Sequence, residues 1–345
     1  MGIYEYLKLA VSGRIPDRLK LLGLWAFLVS GRRMAGVFFD PVMACNLRCK
    51  MCYMSDPEGR KPMKGQRIDE AGLERIRKAF FKRALKLQIG CATEPTLFNG
   101  LPEIIAKAKA DGVPYIALTT NGKQIARGNV DLAELAASGL NELTLSMHGT
   151  SKEIYEELMP GAAYDELLAL TRKIAEAKRR HPGLKLRVNY TINSRNIGDL
   201  EADRFWQLWQ PDGMPDIVQL RPVQKMGETE WNDFDLTPLK ERYDATIGAI
   251  KKKCAELGIA CIAPELNQID EVATDQDFTS ALIKEITYCY VSPDSTYMPD
   301  FQAHDSFSSY HKRKHTARRL LKAVFLRKGK SQKRDSSKHL NYNVS

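Results

Sequence analysis

Along the middle of the chain, short apolar runs alternate with longer stretches in which apolar residues recur every three or four positions. Val37-Phe38-Phe39, Leu85–Ile89, Tyr115–Leu118, Leu143–Ser146, Leu184–Ile192 and Ile217–Leu220 read as six strands. Residues 69–83, 101–110, 130–138, 151–158, 164–180, 199–209 and 238–257 carry the helical period and lie between or after them. Strand and helix in alternation predict a parallel sheet covered by helices. Residues 225–237 read as a loop, and 262–345 show no clear period. Before the first strand, Leu21–Val29 is apolar and flanked by Arg14, Arg18, Lys20, Arg32 and Arg33. Its charged flank contains Glu5 and Asp17 and is long for a secretory signal. Two readings of it remain: a helix capping the barrel, or a helix lying on a membrane face with Trp25 and Phe27 in the interface.

The first strand ends in Ala44-Cys45-Asn46-Leu47-Arg48-Cys49-Lys50-Met51-Cys52-Tyr53. The spacing C-x-x-x-C-x-x-C puts three thiolates on one loop, enough for three corners of a [4Fe–4S] cube. No fourth cysteine stands nearby, so one iron would stay open to a ligand. A structural zinc site is the competing reading, but it wants four closed ligands, commonly as paired C-x-x-C units. His148 would supply a fourth only through an accident of the fold.

This triplet resembles the signature of the radical S-adenosylmethionine (radical SAM) enzymes, and the resemblance runs from about residue 35 to 225, with weaker traces to about 300. It implies an α/β fold: a partial (β/α)6 barrel of radical SAM type, with an N-terminal helix and an irregular C-terminal extension. It implies one [4Fe–4S] cluster on Cys45, Cys49 and Cys52, whose open iron chelates S-adenosylmethionine. Reductive cleavage then gives a 5′-deoxyadenosyl radical that abstracts a hydrogen atom. An external electron donor of flavodoxin or ferredoxin type is also implied. The position before the third cysteine is usually aromatic in the family. Here it is Met51, whose thioether packs well on an adenine face, and Tyr53 follows the triplet. Ile89-Gly90-Cys91-Ala92-Thr93-Glu94-Pro95 is similar to the family's Gly-Gly-Glu-Pro segment, which makes Glu94 the partner of the cofactor's ammonium group and puts Thr93 beside it.

The remaining strand ends supply further cofactor candidates: Thr120 and Asn121, Ser146, and Arg187 with Asn189 on one face of the fifth strand. Arg187 is a candidate for the methionyl carboxylate. His148 and Arg221 are the candidates for proton relay and substrate contact. Tyr288–Asp300 looks like the entry hairpin of a SPASM extension, but Asp300 stands where a cysteine ligand is expected, and Cys254, Cys261 and Cys289 make no second cluster set.

The organisation expected is residues 1–34 as an apolar and basic helix, 35–262 as the barrel, 263–310 as a SPASM-like remnant and 311–345 as a basic tail. The net charge is +10, and the excess gathers in that tail, where Asp335 is the one acid between His311 and Lys338. Such a tail attracts anionic membrane or, as the rival, RNA. No apolar run is long enough to span a bilayer. Few cysteines, three of them needed as thiolates, suit a reducing cytoplasm, with the protein peripheral at the inner membrane face if the tail meets lipid. The substrate stays open: a peptide, or a lipid or glycan precursor. The alternative from another class is a non-catalytic Fe–S or zinc binding protein with a polyanion-binding tail.

Overall fold

Every core strand presents one apolar and one polar face, and that division builds the molecule. Val37, Phe39, Leu87, Ile89, Ile116, Leu118, Leu143, Leu145, Val188 and Val218 are all buried and pack against the helices. The alternate positions Lys86, Gln88, Thr119, Thr144, Ser146, Arg187, Asn189, Gln219 and Arg221 share the other face through the parallel register. Strands buried on both sides normally read as apolar throughout. Here the second face is polar, and its side chains bond one another across the strands, Gln88 Nε2 to Thr119 Oγ1 at 2.8 Å and Arg187 Nε to Glu142 Oε1 at 2.8 Å.

The computed structural model describes residues 15–60, 65–201, 203–224, 229, 237–266, 278–293, 295–296 and 298–325. The chain runs α1 (Asp17–Val29), β1 (Ala35–Phe39), α2 (Glu70–Phe80), β2 (Ala84–Ile89), α3 (Leu101–Ala110), β3 (Tyr115–Thr120), α4 (Leu132–Ser138) and β4 (Glu142–Met147). It continues with α5 (Lys152–Leu158), α6 (Tyr164–Arg180), β5 (Lys185–Ile192), β6 (Ile217–Pro222), α7 (Thr237–Glu256) and β7 (Ala260–Ile262). α8 (Phe278–Thr287), β8 (Tyr288–Ser292), β9 (Ser295–Thr296), α9 (Phe307–Arg313) and α10 (Thr316–Phe325) complete it.

The sheet order is β7-β6-β5-β4-β3-β2-β1-β8-β9. All pairs are parallel except the β8–β9 hairpin. The six expected strands stand in sequential order, and the open sheet is that of a partial barrel. Two features exceed the expectation. β7 adds a seventh strand beside β6. The hairpin read from residues 288–300 does form, but β8 also pairs with β1, Phe38 opposite Tyr290, so it joins the barrel wall. Phe38 and Tyr288 stack at 4.3 Å across that seam. The helix expected over 199–209 is broken into the turns Ile197–Glu201 and Arg204–Gln207. The expected loop at 225–237, residues 1–14 and the tail from 326 onward fall mostly or wholly outside the described residues.

The N-terminal rim of the barrel is closed. Arg83, just before β2, reaches the Phe27 and Leu28 carbonyls of α1 and donates to Ser308 Oγ of α9 at 2.8 Å. α10 packs against α1. Among the described residues, no helix is long and apolar enough to cross a membrane.

Candidate functional site

The C-terminal ends of β1, β2 and β3 meet at the cysteine loop. Chemistry in parallel barrels sits at that rim. Cys45, Cys49 and Cys52 are all free and half-buried on residues 45–52, directly after β1. Burial pushes the Cys45 thiol up to about 12, with the nearby Glu94 and Cys52 adding to it. Cys49 is raised by burial and then by the charges of Cys52 and Cys45, and Cys52 by burial. Cys52 raises the other two thiols and Cys45 raises Cys49, so the three share one electrostatic neighbourhood. Among the described residues, no group of three or more His, Cys, Asp or Glu side chains is arranged to hold a metal ion. A cluster makes a different demand, since each thiolate binds its own iron and the sulfurs need not meet at one point.

Glu94 ties the rim together. Its amide donates to the Ala44 carbonyl, at the head of the cysteine loop. Its buried carboxylate accepts from Thr96 N at 3.1 Å, from Thr96 Oγ1, from Thr120 Oγ1 at 2.6 Å and from Asn121 N at 2.8 Å. Burial pushes this carboxyl up, and the four donors pull it back. Three of them use Oε1, which leaves Oε2 with room for one further donor. Asn121 Nδ2 donates in turn to Asn46 Oδ1 at 2.8 Å, joining β3 to the loop. Gly90, at φ 79°, lets the segment turn here. A Cβ at this position would run into the Thr119 carbonyl and the Pro95 ring.

Asp40 is the hub that sequence reasoning missed. It follows β1, is fully buried, and accepts from Cys91 N at 2.9 Å, Ala92 N at 3.0 Å, Thr93 Oγ1 at 3.1 Å and Tyr290 Oη at 2.7 Å. Burial raises its pKa against those donors. It fixes the β2 loop that carries Glu94, and it couples that loop to β8. The signal available was a lone acid after an apolar strand, which must find donors if buried.

The other candidates divide. Thr93 is held by Asp40 and by the Val42 carbonyl, and Tyr53 Oη donates to the Ala92 carbonyl at 2.6 Å. Thr120 and Asn121 belong to the Glu94 cluster. Ser146 and Asn189 are register neighbours on the inner face, and Asn189 Oδ1 is buried without a partner. Asn46 Nδ2 and Asn193 Nδ2 are also buried and unsatisfied. Orphaned polar atoms of this kind need a ligand or water, and all three belong to the cysteine loop or to β5 and its end. Met51 is buried with Leu158 and Val223.

Arg187 does not reach the rim. It lies low in β5 and donates to Glu142, Nε to Oε1 at 2.8 Å and Nη2 to Oε2 at 3.1 Å, both side chains buried. Burial pushes the Glu142 carboxyl up, but the bidentate guanidinium outweighs it and brings it to about 2. The parity of the strand placed Arg187 on the correct face, while its height committed it to Glu142. His148 is buried at the end of β4, and its Nδ1 accepts from Thr191 N at 3.2 Å. Burial lowers it to about 4, so it is neutral at pH 7 and braces β4 to β5. Arg221 sits beside Thr191 at the end of β6. Cys254 and Cys261 are free thiols that share a hydrogen bond, and Cys289 is buried in the core.

Comparison with known proteins agrees with this geometry. The family model of the Radical SAM superfamily matches residues 41–193. A protein of Sulfolobus acidocaldarius named probable GTP 3',8-cyclase is 28% identical over 259 residues, 70% of this chain and 76% of its own length. Its namesake in Metallosphaera sedula is 31% identical over 197 residues, 56% of this chain and 58% of its own length. Among solved structures, Streptococcus suis SuiB bound to S-adenosylmethionine aligns with a TM-score of 0.57 at 13% identity, covering 84% of this chain and 68% of that one. Native anSMEcpe with bound AdoMet aligns with a TM-score of 0.55 at 15% identity, covering 85% and 84%.

Proposed function

The chain belongs to the radical SAM superfamily, and from that premise we propose that Cys45, Cys49 and Cys52 hold its [4Fe–4S] cluster and that the polar barrel interior receives an anionic small-molecule substrate. It is an enzyme, and its family works with a [4Fe–4S] cluster, S-adenosylmethionine and an external electron donor. When bound, cluster and cofactor together supply a 5′-deoxyadenosyl radical that abstracts a hydrogen atom.

The observation that carries the reading is the free cysteine triplet hydrogen-bonded, through Ala44 and Glu94, to the ends of β2 and β3. The raised thiols are protonated when empty, so iron loading must displace protons and is favoured as pH rises. The remaining acceptor site on Glu94 Oε2 suits an ammonium donor. The orphaned Asn46, Asn189 and Asn193 atoms suit the other polar groups of the cofactor.

Below the rim, the inner face carries Lys86, Arg187 and Arg221 near the carboxylate of Glu142. Arg187 pairs with Glu142, burial lowers the Lys86 pKa, and basic side chains outnumber this carboxylate on the face among the described residues. That balance favours an anionic substrate over the peptide suggested by the SPASM-like trace and the lipid or glycan precursor suggested by the termini. GTP is the first molecule to try, because the relatives that match most of this chain bear the name GTP 3',8-cyclase.

The test is anaerobic reconstitution followed by iron analysis, electron paramagnetic resonance and assay of 5′-deoxyadenosine with and without GTP. About four irons are expected, together with reductant-dependent 5′-deoxyadenosine. A triple Cys→Ala variant that keeps its cluster would overturn the ligand assignment. Cofactor cleavage that neither GTP nor other anionic metabolites stimulate would overturn the substrate reading.

A further inference from the structure

α1 and α10, which pack against each other at the closed N-terminal rim, each expose a side turned away from the core. α1 buries Leu21 and packs Leu24, Trp25, Phe27 and Leu28 against the core. Its opposite side exposes Leu19 by 58%, Leu22 by 37% and Val29 by 54%, with Ala26 exposed between them. The spacings of three, four and three make one stripe along the helix. The neighbouring α10 buries Leu320, Ala323 and Val324 and exposes Arg318, Lys322 and Phe325, again one face, with Phe325 81% exposed. Arg18 and Arg32 are exposed at the two ends of α1. Arg18, Arg32, Arg318 and Lys322 make no ion pair among the described residues. In sequence, Phe325 is followed by Leu326-Arg327-Lys328-Gly329-Lys330 and then Lys333-Arg334, so the basic tail starts at this patch.

We infer that the α1–α10 face is a docking surface for an anionic lipid bilayer. Leu19, Leu22, Val29 and Phe325 enter the interface, and the surrounding cations meet the headgroups. Contiguous apolar side chains on a surface mark an interaction site. An apolar stripe framed by unpaired cations is the pattern of an interfacial helix. The cations alone would serve a nucleic acid equally well, but the aliphatic stripe and Phe325 would find no partner on phosphate. The inference does not depend on the reading of the cysteine site. It also revises the expectation for Trp25 and Phe27, which pack inward.

The experiment is co-sedimentation of the full chain with phosphatidylcholine vesicles, with and without phosphatidylglycerol, at low and high salt. The parent should sediment with the anionic vesicles at low salt and stay in the supernatant with neutral ones. Leu19→Ser with Leu22→Ser should weaken partitioning at least about tenfold, because two aliphatic side chains no longer leave water. Arg318→Gln with Lys322→Gln should weaken it about twenty-five-fold, about fivefold for each cation. All four positions are exposed, and circular dichroism checks that the variants are folded. A parent that stays in the supernatant with anionic vesicles overturns the inference. So does a leucine pair variant that partitions like the parent. Retention of structured RNA, with vesicle binding insensitive to the leucine changes, would reassign the patch to nucleic acid.

Discussion

Replacing Arg187 by Met separates a structural role from a cofactor role. In the native protein the guanidinium bonds both oxygens of Glu142, and Glu142 also accepts from Tyr115 Oη at 2.6 Å and Thr144 Oγ1 at 3.0 Å. Glu142 is fully buried and its pKa is depressed from 4.5 to about 2. A shift of that size corresponds to roughly 3 kcal/mol of preferential interaction with the ionised form. Breaking a buried pair from one side costs about 3–5 kcal/mol, since it strands a charge. Arg187→Met should therefore destabilise the fold by about 3–4 kcal/mol, with nearby Lys86 recovering part of the loss. Glu142→Gln with Arg187→Met removes both charges and should recover most of the stability. Urea unfolding of the two singles and the double reads the coupling. Affinity for S-adenosylmethionine, measured at a denaturant concentration where both proteins are folded, should not change. The reasoning fails if Arg187→Met unfolds like the parent, or if the double variant keeps its stability but loses the cofactor.

Two further outcomes follow from the same structure. Glu94→Gln keeps the donors to Oε1 but faces Asn121 N with an amide N–H₂. It should weaken cofactor binding at least about tenfold with iron content unchanged, since buried charge-assisted bonds are the strong ones; equal affinity in calorimetry would remove Glu94 from the cofactor site. His148 and His311 are both buried and both lowered from 6.5 to about 4, by burial first of all, with the cation Arg83 adding to it at His311. The unfolded chain binds protons at these groups first, so each contributes stability that is lost as pH falls from about 6.5 to 4, up to roughly 3 kcal/mol per residue. Urea midpoints that stay flat between pH 7 and 4.5 in the parent, or that remain as acid-sensitive after His148→Asn and His311→Asn, would contradict this.

The sequence disclosed local facts and missed distant ones. The cysteine loop and the six alternating strands are written in adjacent residues, and each stands where spacing and period put it. β8 escaped because its partner β1 lies about 250 residues away, and no local period reports a pairing of Phe38 with Tyr290. Arg187 shows the limit of strand parity, which gives a face but not a depth. The orientation of α1 was illegible for another reason. Apolar residues sit on nearly every side of it, Leu21 and Leu24 inward and Leu19 and Leu22 outward, so no single stripe announced which side meets the body. Asp40 carried no pattern at all, only the general rule that a buried carboxylate needs donors.

Among the described residues, the closed N-terminal rim leaves the end that carries the cysteine loop as the way into the barrel. α1 and α9 stopper the end where β1 and β2 begin, and the cysteine loop stands at the other. Cofactor and substrate then enter at the end where the cysteine loop stands, and the electron donor must come close to that same loop. Traffic through a shared entrance imposes an order. A donor protein seated close enough to the cysteine loop to pass an electron also covers the route by which substrate enters and product leaves. The expected outcome is that raising the donor concentration past saturation slows turnover, and steady-state rates that stay flat at high donor would refute the shared entrance.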